Sequence, residues 1–150
     1  MTSNLETLVL LMARARIMQR ALAREQRLLN RRVGGHIPTL VEGWPAMTYF
    51  QLYLASLQVL VEAWDASLLY DEQVHELLRK NHRATLRRFR NAVFHPHPFQ
   101  DKRLMAVYRR HRSIRAWADA VLDGIAHCIK VELNAKHVAT LRGVPALQRR

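Results

Sequence analysis

The stretch YFQLYLASLQVLVEAW, residues 49–64, decides the fold. Tyr49, Phe50, Leu52, Tyr53, Leu54, Leu57, Val59, Leu60, Val61 and Trp64 leave few polar positions. The run predicts a helix from Met47 to about Leu69. A helix apolar almost all round belongs at the centre of a bundle or in an oligomer interface, because little of its circumference gains by facing water. Its polar residues Gln51, Gln58, Glu62 and Asp65 recur at spacings of seven, four and three. They therefore share one narrow face, which is either a rim or a site.

Toward the N-terminus, Leu8, Leu11, Ala15, Met18, Leu22 and Leu29 form an apolar stripe with helical spacing. They predict one long helix from Leu5 to about Arg32. Arg16, Arg20, Arg24, Arg27 and Arg31 form a second stripe, read as facing solvent. VGGHIPTLVEGWP, with its glycines and prolines, predicts a connection of about a dozen residues before the central helix. Toward the C-terminus, DEQVHELLRK (71–80) predicts a short helix whose opening Asp71 and Glu72 suit the positive end of the helix dipole. A further helix is expected from near Asn81 to Phe94. It should end near His95, because Pro96 disfavours the α conformation for the residue before it. DKRLMAVYRR (101–110) also reads as helical. Ser113 is the expected N-cap of a last helix that sets Ile114, Trp117, Val121, Ile125 and Cys128 on one face.

The composition agrees. Hydrophobic residues make up 49% of 150 residues, and Gly and Pro number five each. This predicts an all-α bundle of four to six helices, one domain over 1–150 with a basic tail from about 142. No segment is long and apolar enough to span a membrane, and the N-terminal stretch lacks the charged region and cleavage site of a signal peptide. The single Cys128, read as core, excludes an intrachain disulfide and suits a reducing compartment. The expected location is the cytoplasm.

The formal charge of +12 is unevenly distributed. Twelve of the 24 Lys and Arg residues lie between Arg79 and Arg115, against one acid, Asp101. A field of that kind attracts polyanions: RNA, DNA or an anionic membrane surface. Arg83, Arg87, Arg88, Arg109, Arg110 and Arg112 read as phosphate-steering charges, which give salt-dependent affinity without sequence choice. The plainer reading is a charged surface that keeps the chain soluble. Trp44, Trp64 and Trp117 fit core or interface better than base-stacking platforms.

Within this field, RRFRNAVFHPHPF (87–99) concentrates groups able to do chemistry. Asn91 and His95 are four apart and would share a helix face. Arg90 and His95 are five apart and would diverge by roughly 140° on an ideal helix. Pro96 is expected to unwind the backbone at His95, so that the imidazole can turn back toward Asn91 and Arg90. A histidine with an unperturbed pKa of roughly 6.5 exchanges protons at neutral pH. The arginine fork matches two phosphate oxygens and keeps its charge. Asparagine can hold the imidazole or bind a phosphate oxygen. Together they suit cleavage of RNA, whose own 2′-hydroxyl is the nucleophile, and no metal or cofactor is expected. Such groups in a basic helix are also commonly structural. An H-x-H metal site from His95 and His97, with His82 or His111, is a minor alternative that lacks Cys or acidic ligands.

RNAVFH resembles the signature of HEPN domains, in which an Arg, usually followed by Asn, Asp or His, is separated from a His by four to six intervening residues. Arg90, Asn91 and His95 match it with four intervening residues. YFQLYLASLQVLVEAW followed by LRRFRNAVFH is similar to one group of small bacterial HEPN-like proteins, over roughly Met47 to His95. The resemblance implies a helical bundle that dimerises through the motif-bearing face, and a metal-independent ribonuclease of toxin–antitoxin systems, phage defence or RNA processing. It implies His95 as general acid/base, Arg90 as stabiliser of phosphorane charge and Asn91 as their orienter, with 2′,3′-cyclic phosphate and 5′-hydroxyl products. An antitoxin or regulatory protein would be a further partner. His97, between two prolines, stands where silenced HEPN toxins often carry Tyr, a departure from that mode of control. Glu62 reads either as a rim residue or as a support that pairs with Arg90 or His95. Two other readings stand beside the enzyme: a non-catalytic HEPN-like module binding RNA, a nucleotide or a protein, and a basic helical adaptor in which the motif is accidental.

Overall fold

In the computed structural model the central stretch is helical throughout, within a helix that runs Leu40–Asp65. The residues described are 4–35, 40–79, 82–84, 86, 87, 90 and 110–143. Among them the protein is an all-α bundle without a strand: α1 (Asn4–Val33), α2 (Leu40–Asp65), α3 (Glu72–Arg79) and α4 (His111–Gly143), with further helical residues at 82–84, 86, 87 and 90. The expected 101–110 helix falls outside the described residues except for Arg110, which lies in a turn. The tail beyond Gly143 also falls outside them.

α2 is the hub of the core. Phe50, Tyr53, Leu54, Leu57, Leu60, Val61 and Trp64 are buried. From α1 it receives Leu8, Ala15 and Leu22, a seven-residue spacing that keeps one seam facing α2. Ala15 at the middle of that seam lets the backbones approach, and α1 packs chiefly against α2. α4 adds Ile114, Trp117, Val121, Leu122, Ile125 and Ile129, and α3 adds Val74 and Leu78. Full burial of each large aliphatic side chain contributes about 1.5–3 kcal/mol, which sets the rotation of each helix about its axis. The arginine stripe of α1 does face solvent at Arg20, Arg24, Arg27 and Arg31. Arg16 departs from it, turning in to pair with Asp123 of α4 at 2.6 Å.

Three boundaries differ from expectation. α2 starts at Leu40 rather than Met47 and carries Pro45 inside it, so the second half of the predicted connection is helix. Pro45 offers no N–H to the Val41 carbonyl, a loss that is best tolerated near a helix start, where few turns precede it. The break itself lies at Gly34 and Gly35, whose φ values of 52° and 100° are open to glycine and end α1. At its other end α2 stops at Asp65, short of Leu69. Ser67 intercepts the chain there: its hydroxyl donates to the Trp64 carbonyl at 2.7 Å and accepts the Leu69 N–H at 3.2 Å. Finally, Ser113 is no N-cap. α4 begins at His111, and the Ser113 hydroxyl donates back to the Arg110 carbonyl at 3.0 Å from inside the first turn.

Candidate functional site

The narrow polar face of α2 is where the helical residues of 82–90 meet it. Asp65 pairs with Arg83, and Glu62 pairs with Arg90 in reverse chain order. Arg90 places one terminal nitrogen, Nη1, between both carboxylate oxygens of Glu62, at 2.6 Å from Oε1 and 2.7 Å from Oε2. Both side chains are more than one third exposed, 37% for Arg90 and 40% for Glu62. Pairs of that exposure are worth about 0.2–1 kcal/mol, so this one matters for orientation more than for stability. Its geometry leaves the N–H groups of Nε and of the other terminal nitrogen unengaged by Glu62. One turn earlier on α2, Gln58 donates from Nε2 to Glu62 Oε1 at 3.0 Å. Glu62 makes the contact with Arg90 from a rim position, so its two readings do not exclude each other.

Asn91, His95 and His97 lie outside the described residues, as do Arg88 and Arg109. Of the remaining basic set, Arg87, Arg110 and Arg112 are exposed. Arg83 differs from them, since its charge is offset by Asp65. Leu86 is buried in the core and fixes the rotation of its segment, which turns Arg90 toward α2 and leaves Arg87 outside. His82 lies 5.5 Å from the Trp117 ring, centroid to centroid. Trp64 and Trp117 are core, and Trp44 is exposed.

Two polar clusters escaped the sequence reading. Asp119 of α4 accepts the Tyr53 hydroxyl at 2.8 Å and Gln19 Nε2 at 2.7 Å on one oxygen, and faces Arg115 with the other. It ties α1, α2 and α4 together. Burial, with the Asp119 carboxylate beside it, holds the Tyr53 hydroxyl protonated far above its ordinary range. The second cluster lines a cavity of about 360 Å³ between α3 and α4, where Asp71, Asp123 and His127 meet Leu77 and Ala120. Among the described residues, no group of three or more His, Cys, Asp or Glu side chains is arranged to hold a metal ion.

A third feature was legible but unread: no Lys or Arg occurs between Arg32 and Arg79. α2 accordingly carries an uncharged outward strip of Thr48, Leu52, Ser56, Val59 and Ala63, all exposed or half-buried. No described helix is long and apolar enough to cross a membrane.

Compared with protein-family models, with curated proteins and with solved structures, the chain has no match to any of them. Fold and site define an all-α bundle that presents an arginine, steadied by a carboxylate on the central helix, at the edge of a basic surface.

Proposed function

We propose that this chain is a HEPN-like, metal-independent endoribonuclease that works as a cytoplasmic homodimer, as a toxin or phage-defence effector under a partner's control. The observation that carries the reading is the Glu62–Arg90 clamp. It steadies the one arginine of the RNAVFH motif without engaging its whole fork. A phosphate gains most from donors already fixed where charge develops. In the proposed reaction the RNA 2′-oxygen bonds to phosphorus and the bond from phosphorus to the 5′-oxygen breaks. His95 takes the proton from the attacking 2′-oxygen and returns one to the leaving 5′-oxygen, Asn91 orients it, and Arg90 meets the equatorial oxygens. The products are a 2′,3′-cyclic phosphate and a 5′-hydroxyl. Exposed Arg87, Arg110 and Arg112 draw the polyanion in. The homodimer is taken to form through the motif-bearing face, as the HEPN resemblance implies, and the uncharged strip of α2 eases the approach of two chains of +12 because neither carries a cation there.

A second reading is a non-catalytic module binding RNA, a nucleotide or a protein. The same clamp is compatible with it, since a carboxylate facing Nη1 offsets charge that a phosphate would otherwise meet.

Incubating wild type and His95→Ala with mixed single-stranded and transfer RNA in EDTA, followed by end-group analysis, separates the two. Cleavage by wild type alone, with cyclic phosphate ends, is expected. Equal cleavage by the variant would sink the assignment of His95, and RNA retention without cleavage by either would favour the binding module.

A further inference from the structure

Apart from the aromatic side chains of Tyr53, Trp64 and Trp117, Gln58 is the one polar side chain among the described residues that is buried, with 1% of its surface exposed. It lies on the hub helix among Leu54, Leu57 and Val61, where an aliphatic residue would fill the same space. Its Nε2 has a partner in Glu62 Oε1. Its Oε1 is shut off from solvent and has no hydrogen-bond partner among the described residues. Turning the amide over would not help, because it would set a carbonyl oxygen against the Glu62 carboxylate. A buried acceptor left unpaired costs stability, whereas an apolar residue of similar shape carries no such cost. Packing therefore does not account for a glutamine here. Its one good contact does.

That contact falls on Glu62 Oε1, the same oxygen that Arg90 Nη1 reaches at 2.6 Å. Glu62 is a long side chain, 40% exposed, with rotamers open to it on the solvent side. A buried donor one turn back on the same helix restricts those rotamers. A carboxylate held in place offers both oxygens to one nitrogen, and Arg90 keeps its orientation. We propose that Gln58 is a positioning residue, acting through Glu62 on Arg90 and kept at a cost in stability. This rests on the reading of Arg90 as the arginine that stabilises phosphorane charge in an RNA-cleaving site.

Gln58→Met tests it, because methionine has nearly the same shape and removes both donor and acceptor. A structural residue would lose stability when replaced in this way. A positioning residue should not. The expected variant has a Tm equal to or above wild type, a kcat for RNA cleavage about tenfold lower and an unchanged KM. Independently of activity, ¹⁵N-arginine NMR should show separate, slowly exchanging Arg90 Nη signals in wild type, identified by their loss in Arg90→Lys. Those signals should merge in Gln58→Met. Unchanged Arg90 signals in the variant would overturn the proposal, whatever happens to Tm. If wild type cleaves no RNA, the proposed function fails on its own, and the Arg90 signals still decide whether Gln58 holds the arginine.

Discussion

At the scale of single residues, Asp71 shows how one carboxylate can serve two elements. Its Oδ1 accepts the Val74 N–H at 2.9 Å and caps α3, a contact that holds its carboxyl below the usual range. Its charge also bears on the Cys128 thiol of α4. Burial first, and then the Asp71 carboxylate, pushes the Cys128 thiol up to about 11 from an ordinary 9.0. The thiolate is the reactive form, and at pH 8 a rise of about two units lowers its share about a hundredfold. Iodoacetamide should therefore alkylate Cys128 about tenfold more slowly than a free cysteine peptide, since the more basic thiolate regains part of the lost share in nucleophilicity, and Asp71→Ala should recover part of the rate. Alkylation at the peptide's rate would show that neither burial nor Asp71 protects the thiol. The helix start at Asp71 and the half-apolar setting of Cys128 were both readable along the chain. Their contact was not, because it depends on how α3 lies against α4.

At the scale of elements, α3 and α4 meet through a glycine. A Cβ on Gly124 would come within 2.8 Å of Val74 Cγ2, closer than packed carbons tolerate. Trp117 Nε1 fixes the same contact by donating to the Leu77 carbonyl at 2.7 Å. In an isolated helix Gly124→Ala would stabilise by about 1 kcal/mol. Here the overpacking, about 1–3 kcal/mol, opposes that gain and is hard to relieve because a β-branched side chain is stiff. The expected result is a lower Tm for Gly124→Ala. A double-mutant cycle with Val74→Ala should show favourable coupling, since removing the methyls vacates the space; additive effects would place the strain elsewhere. The same balance of local rule against context explains the boundaries. Pro45 looked like a helix breaker and is not, because it stands near a helix start. Ser113 looked like a cap and is not, because the helix had already begun at His111.

At the scale of the whole molecule, charge is divided between surfaces. Half of the cations fall in 79–115 and none between Arg32 and Arg79, so α2 shows an uncharged strip on a strongly basic protein. If two copies meet there, wild type should sediment as a dimer and its Tm should rise with concentration. Leu52, 37% exposed at the middle of the strip, is the place to test this. Leu52→Lys should give a monomer whose Tm no longer depends on concentration, and RNA cleavage should fall with the dimer. A monomeric wild type, or an unaltered dimer in the variant, would rule out this strip as the interface.

The all-α class, the central place of residues 49–64 and the basic character of the chain were legible along the chain. Each of these follows from local periodicity or from composition, which need no knowledge of distant contacts. The tertiary structure decided that Glu62 faces Arg90, that Asp65 takes up Arg83, that Gln58 is buried and that Asp119 joins three helices. Those contacts depend on the rotation and approach of whole helices. That rotation is set by the burial of residues such as Leu57, Leu86 and Ile125 far apart in the chain, so the spacing along any one helix could not reveal it.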